Sequence, residues 1–283
     1  MYFFDTHAHV QRSRSGRCTN VAELFLRARK AGIRAILAPA VDRADWDELV
    51  EMTAPRGVCL YVAYGLHPYF VLKITVSRAR DLVEELRLRV LNAGSEMRAI
   101  GECGLDFLRA TSSESRAHQV EVFRAQLELA RHTGLPLSIH CVKAHGPLVE
   151  LLRERPTPAS VMHAFSGSAE IARELVGAGH YISFAGNLCV QGARRVVEAA
   201  RAVPDERLLL ETDTPDQTPP ARRPAANEPA FIVDIAARLA ELRGASIEEI
   251  ATLTLDNGRR VFSVEAPFAL HDFDDRDHDV TSE

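Results

Sequence analysis

Short apolar runs alternate along this chain with longer segments in which apolar positions recur every three or four residues. The runs Tyr2–Thr6, Arg34–Pro39, Val58–Tyr64, Met97–Gly101, Pro136–His140, Ser160–Met162, Tyr181–Phe184 and Arg207–Glu211 predict eight strands. Between them, Val21–Ala31, Arg43–Ala54, Ser77–Leu91, Ser115–Thr133, Pro147–Glu154, Ala169–Ala178 and Ala193–Ala202 predict helices. In the clearest of these, Phe123, Leu127 and Ala130 share one face and Gly134 is placed to stop the helix. Strict alternation of strand and helix implies a parallel sheet, and eight units in this length favour a closed TIM-type (β/α)8 barrel over an open sheet. No G-x-G-x-x-G or Walker loop follows a strand, so the phosphate cradles of the open folds are missing.

Beyond the eighth strand come a Pro-rich stretch, Thr214–Pro224, and a helix entered at Asn227-Glu228-Pro229. Ser246-Ile247-Glu248-Glu249 is a capping box for one more helix. With no internal repeat and no linker, residues 1–266 read as one barrel domain, and 267–283 as an acidic tail expected to be disordered. That tail changes the meaning of the net charge of −5 over 283 residues: His271 to Glu283 holds six acids against Arg276 alone, leaving the body formally neutral. A neutral body lacks the basic surface of a duplex-coating protein, although a local phosphate site remains compatible with it. No apolar run is long enough to span a bilayer and the amino terminus lacks a signal-peptide pattern, so a cytoplasmic, membrane-free protein is expected. Five cysteines without a C-x-x-C pair fit free thiols rather than a disulfide framework.

Candidate chemistry falls where a barrel would use it, at the carboxyl ends of strands. His7 and His9 close the first strand, two residues apart, a spacing that aims both imidazoles to one side. His67 follows the third strand, Glu102 the fourth, His140 the fifth, His163 the sixth, and Glu211 and Asp213 the eighth. Each has a blander reading, His140 and His163 as satisfied core histidines and Asp213 as a turn cap. Glu102 is harder to dismiss, because a carboxylate leaving an apolar strand needs a cation or several donors. Six coincidences at strand ends point to a metal centre. Four imidazoles and two carboxylates exceed one tetrahedral ion, so two neighbouring ions bridged by Glu102, roughly 3.5–4 Å apart, are expected. In that arrangement Asp213 orients or deprotonates the attacking water.

The segments Asp5-Thr6-His7-Ala8-His9, Gly65-Leu66-His67-Pro68, Ile100 to Phe107, His163 to Ser168 and Glu211 to Pro215 resemble the signature blocks of TatD-family metal-dependent hydrolases, within the amidohydrolase superfamily. Gln126-Leu127-Glu128-Leu129-Ala130 and Asn227-Glu228-Pro229 extend the likeness over most of residues 1–265. The resemblance implies that His7, His9, Glu102 and Asp213 hold one divalent ion and that Glu102, His140 and His163 hold the other. It also implies metal-dependent hydrolysis of phosphodiesters, as an exonuclease on DNA or RNA ends. His67 matches a position lining the site, with a histidine that merely shapes the Pro68 turn as the alternative. Ser166 and Arg222 are further substrate contacts, Arg222 as a phosphate grip or else a solvated loop residue.

The chain departs from the family pattern at the pocket rim. Tyr69 stands where many members have a second histidine, Val142-Lys143 where many have Arg-Asp or Arg-Glu, and Thr214-Pro215-Asp216 where Ala-Pro-Tyr is usual. A phosphodiesterase acting from a 3′ end therefore competes with an amide, ester or lactone hydrolase of a small molecule, and both with a silent binding module, which would show damaged ligands. Zinc, manganese, iron or nickel suit the imidazoles, and the carboxylates leave magnesium open. No obligate protein partner is evident.

Overall fold

In a computed structural model, which describes residues 1–11 and 20–264, the chain forms eight parallel strands in the order of the sequence. They are β1 (Phe3–Asp5), β2 (Ile33–Pro39), β3 (Cys59–Tyr64), β4 (Met97–Asp106), β5 (Leu137–Val142), β6 (Val161–Met162), β7 (Tyr181–Phe184) and β8 (Leu208–Leu210). The ladder runs from β1 to β8, and the first and last strands approach through Thr6 N–H to the Leu210 carbonyl, 3.2 Å, and Asp213 N–H to the His7 carbonyl, 2.9 Å. The result is a nearly closed barrel.

Helices α1 (Val21–Lys30), α2 (Arg43–Glu51), α3 (Pro68–Val71), α4 (Val76–Leu91), α5 (Ser113–Thr133), α6 (His145–Glu154), α7 (Ala169–Gly177), α8 (Arg194–Ala202), α9 (Ile232–Arg243) and α10 (Ile247–Val261) follow the strands. Their ends carry the expected chemistry. Asn20, Asp42 and Ser168 cap α1, α2 and α7, Gly134 closes α5 in the left-handed conformation, and the Ser246/Glu249 box of α10 is complete. Asn227-Glu228-Pro229 does not open a helix directly: a 3-10 turn, Pro229–Phe231, comes first and α9 begins at Ile232. The acidic tail lies outside the described residues, as does Cys18; the other four cysteines are free thiols.

The alternating strand pattern explains how one barrel can be both packed and chemical. Phe4, Ala35, Leu37, Ala63, Ala99, Val161, Tyr181 and Leu209 form one buried apolar cluster, which Val261 and Phe262 at the end of α10 join. The residues between them, such as Phe3, Ile36, Leu137, Ile139, Ile182 and Leu210, belong to the larger cluster shared with the helices. Two residues further along the first face come Thr6, His163, Ser183 and Glu211, all buried. The period of two thus stacks a polar layer on an apolar one.

Candidate metal centre

β4 continues five residues beyond Gly101 because its ladder to β5 resumes after an irregularity, pairing Cys103 with Ile139 and Asp106 with Val142. Glycine makes the close approach possible. Gly104 has φ +129°, and a Cβ there would lie 2.1 Å from the His140 carbonyl oxygen. Gly65, on β3's outgoing loop, would put a Cβ 2.5 Å from the Gly101 carbonyl carbon. The strands therefore carry Glu102 into the centre of the barrel mouth, where it is 2% exposed.

The two carboxylate oxygens of Glu102 face different partners. Oε2 lies 3.3 Å from His7 Nε2 and 3.1 Å from His9 Nε2. Asp213 Oδ1 stands across the same pair at 3.8 and 4.0 Å. Oε1 lies 3.1 Å from His140 Nδ1, 3.0 Å from His163 Nε2 and 2.8 Å from His67 Nε2. Sharp turns at strand ends aim these groups: Asp213, Ala164 and Lys143, all non-glycine, have φ of 57°, 42° and 54°.

Outward contacts fix most of the imidazoles. His9 Nδ1 donates to the Pro39 carbonyl at 3.0 Å, His163 Nδ1 to Glu211 Oε1 at 3.2 Å and His140 Nε2 to Asp106 Oδ2 at 3.2 Å. His7 Nδ1 meets the Ser138 hydroxyl at 2.9 Å. A carboxylate or carbonyl behind an imidazole leaves the inward nitrogen with its lone pair, the form in which histidine binds a cation.

Asp5 holds the β8 end, accepting Thr212 N–H at 2.9 Å and Thr212 Oγ1–H at 2.6 Å. Glu211 also accepts Ala164 N–H at 2.6 Å, while its Oε2 has no partner. The sequence placed Glu211 among the strand-end acids without a role, and gave none to Asp5, Asp106 or Ser138. Their signal was the polar side chain within an apolar strand.

Burial and charge act against each other here. Burial opposes ionisation of Glu102, but the surrounding imidazoles, His67 and His163 foremost, outweigh it and hold the carboxyl well below its usual range. Burial likewise opposes a charge on His163, yet Glu102 and then Glu211 push it well above the usual value. His7 is driven well below its usual value by burial and by His163. Burial raises Asp213 to about 6, and cations beside it would draw it down again. A buried set of lone pairs and carboxylates with this geometry fits divalent ions, and His7, His9 and Asp213 converge within 4.8 Å as ligand atoms.

Two glutamines to which the sequence reading gave no role, Gln126 of the family-like segment and Gln119, brace the site from α5. Gln126 accepts Leu66 N–H at 2.9 Å and donates to the Leu66 carbonyl at 3.2 Å; Gln119 accepts Asp106 N–H at 2.9 Å and donates to the Pro68 carbonyl at 3.2 Å. Both are buried, two helical turns apart on one face, and they hold the loops that carry His67 and Asp106. Ser166 is partly buried on the loop after β6. Arg222 is not left open: its guanidinium donates to both oxygens of Asp234, at 2.7 and 3.2 Å, and lies 4.9 Å above the Phe231 ring. The side chain stays exposed, so it is a surface loop residue paired with an acid.

A (β/α)8 barrel with such a cluster of histidines and carboxylates, able to hold metal ions, at the strand ends is the frame of a metal-dependent hydrolase. The family model for TatD related DNase matches residues 4–263, and the chain belongs to the TatD family. An uncharacterized metal-dependent hydrolase of Bacillus subtilis, YabD, is 35% identical over 263 residues, covering 92% of this chain and 99% of its own. A protein of Erwinia tasmaniensis named 3′-5′ ssDNA/RNA exonuclease TatD is 31% identical, over 86% of this chain and 93% of its own. The crystal structure of the TatD homologue YjjV from Escherichia coli superposes with a TM-score of 0.82 at 30% identity, over 93% and 98% of the two chains. No helix among the described residues is long and apolar enough to cross a membrane.

Proposed function

We propose that this chain is a two-ion phosphodiesterase that removes nucleotides from the free 3′ end of single-stranded or short DNA or RNA. One observation carries the two-ion part: the opposite oxygens of Glu102 each face their own set of imidazole nitrogens, with Asp213 completing one set. His7, His9, Glu102 and Asp213 would hold the first ion, and Glu102, His140 and His163 the second. Divalent ions bound there supply an acidified water and compensate the charge that develops on phosphoryl oxygens. The protein's own part is to orient and to move a proton. Gln217 Nε2 donates to Asp213 Oδ2 at 2.9 Å, which fixes the carboxylate so that Oδ1 faces His7 and His9 and can take the proton of an attacking water. The name of the Erwinia tasmaniensis relative supports nucleic-acid ends as substrate.

A second reading, hydrolysis of a small amide, ester or lactone at the same centre, is favoured by the pairing of Arg222, the candidate phosphate grip, with Asp234 and by the formally neutral body. Oligonucleotides labelled at either end, incubated with protein loaded with zinc, manganese or magnesium, separate the two. Stepwise metal-dependent release from the 3′ end, absent in His7→Ala, is expected. No release, with turnover in a panel of acylated substrates, replaces the first reading by the second.

A further inference from the structure

By distance alone His67 would be a third imidazole ligand of the second ion, since its Nε2 stands closer to Glu102 Oε1 than any other ring nitrogen, 2.8 Å. The hydrogens argue otherwise. A neutral imidazole carries one hydrogen, and the nitrogen that accepts a hydrogen bond is the one without it. In the neutral form that binds a cation, His9, His140 and His163 keep their one hydrogen on the outer nitrogen, which faces a carbonyl or a carboxylate, groups that only accept, and their inner nitrogens are then bare. His67 is reversed. It is the N-cap of α3, and its Nδ1 accepts the backbone N–H of Tyr69 at 2.9 Å. A backbone N–H only donates, so Nδ1 is bare and Nε2 holds the hydrogen, directed at Glu102.

The reversal has a local cause. Pro68 at the first position of α3 has no N–H, so Tyr69 supplies the first backbone donor of that helix, and the residue before the proline is the one placed to cap it. For His67 to offer Nε2 to a cation, Nδ1 would have to take the hydrogen, and two N–H groups would then face each other at the cap. The Tyr69 ring packs edge-on against His67, with centroids 4.6 Å apart, and Gln126 and Gln119 fix the flanking Leu66 and Pro68 backbone. The imidazole is therefore held from three sides.

We propose that His67 is a positioning donor and not a metal ligand: its Nε2–H holds Oε1 of Glu102, setting the carboxylate rotation that turns Oε2 to His7 and His9 and Oε1 to His140 and His163. The proposal rests on the reading of Glu102 as a bridge between two ions.

Zinc binding to purified protein tests it with a readout other than activity. His67→Gln places an amide N–H where Nε2–H stood, His67→Leu removes the donor, and His140→Leu serves as the ligand control. Elemental analysis is expected to find the full zinc content of the parent protein in His67→Gln and, at saturating zinc, in His67→Leu, with zinc affinity falling roughly 10- to 100-fold in His67→Leu and recovering in His67→Gln. His140→Leu should lose one ion. In the zinc-loaded parent protein, imidazole nitrogen resonances of His67 should show a hydrogen on Nε2 and none on Nδ1. This last reading needs no variant to fold. If both His67 variants lose a whole ion as His140→Leu does, or if Nε2 of His67 lacks a hydrogen in the zinc form, the donor role is overturned. If instead His140→Leu keeps the full zinc content, the two-ion reading falls, and the hydrogen position on His67 still decides the donor role.

Discussion

Replacing Glu102 by Gln keeps the size of the side chain and changes two things the site depends on. The charge goes, and one of the two oxygens becomes an N–H donor. Because Oε1 and Oε2 both face imidazole nitrogens, at 2.8 to 3.1 Å on one side and 3.1 to 3.3 Å on the other, neither orientation of the amide serves both sets. A unit charge pair about 4 Å apart is worth about 4 kcal/mol at an effective dielectric of about 20. Removing the carboxylate charge should therefore weaken at least one divalent ion by on the order of a thousandfold. Metal content after equilibration with micromolar zinc, measured beside the hydrolytic rate, is the assay. The variant is expected to hold at most one ion and to be nearly inactive. Native affinity for two ions in Glu102→Gln would refute the bridging argument, since the amide cannot give a lone pair to both sides.

Other consequences follow from groups around the site. Gln126→Leu should leave the buried Leu66 N–H and carbonyl without partners, costing about 2–4 kcal/mol and lowering Tm by roughly 3–7 °C; an unchanged Tm in thermal unfolding would show that the loop does not need this brace. Burial, helped by Arg207, holds His180 down to about 4 against a usual 6.5, and its Nδ1 accepts Ser160 N–H. Between those values the unfolded chain binds a proton that the folded chain does not. This stability is therefore complete above about 6.5 and is lost as the pH falls toward 4, about 3 kcal/mol in all. His180→Asn should flatten that part of the stability profile in denaturant titrations, and an unaltered slope would contradict it. Arg222→Ala should leave the salt dependence of substrate binding unchanged, because the guanidinium is already engaged by Asp234; a reduced slope would reinstate it as a phosphate contact.

Much of the barrel was legible because a parallel sheet buried on both faces writes itself as apolar runs between amphipathic helices, and boundaries such as Tyr181–Phe184 were read without error. β4 was not read to its end. Gly101 and Glu102 look like the close of a strand, but Gly104 lets the backbone press against His140 and the ladder continues to Asp106. The site was legible for a related reason: residues at strand ends point to a common mouth, so Glu102, His140 and His163 could be grouped before any distance was known. What pattern alone did not reveal is which side chains serve the others. Gln119 and Gln126 share the buried face of α5 with Phe123 and Leu127, and polarity gives no hint that they bind loop backbone. The hydrogen on His67 is equally hidden, because it is set by a cap formed only when Pro68 starts α3.

The central claim is that Glu102 stands between two ions. Anomalous diffraction from crystals of the zinc-loaded protein, recorded on both sides of the zinc edge, addresses it without reference to substrate. Two peaks are predicted, one bounded by His7, His9 and Asp213 and the other by His140 and His163, with a Glu102 oxygen on each. A single peak at full occupancy, or two peaks that Glu102 does not separate, would contradict the account.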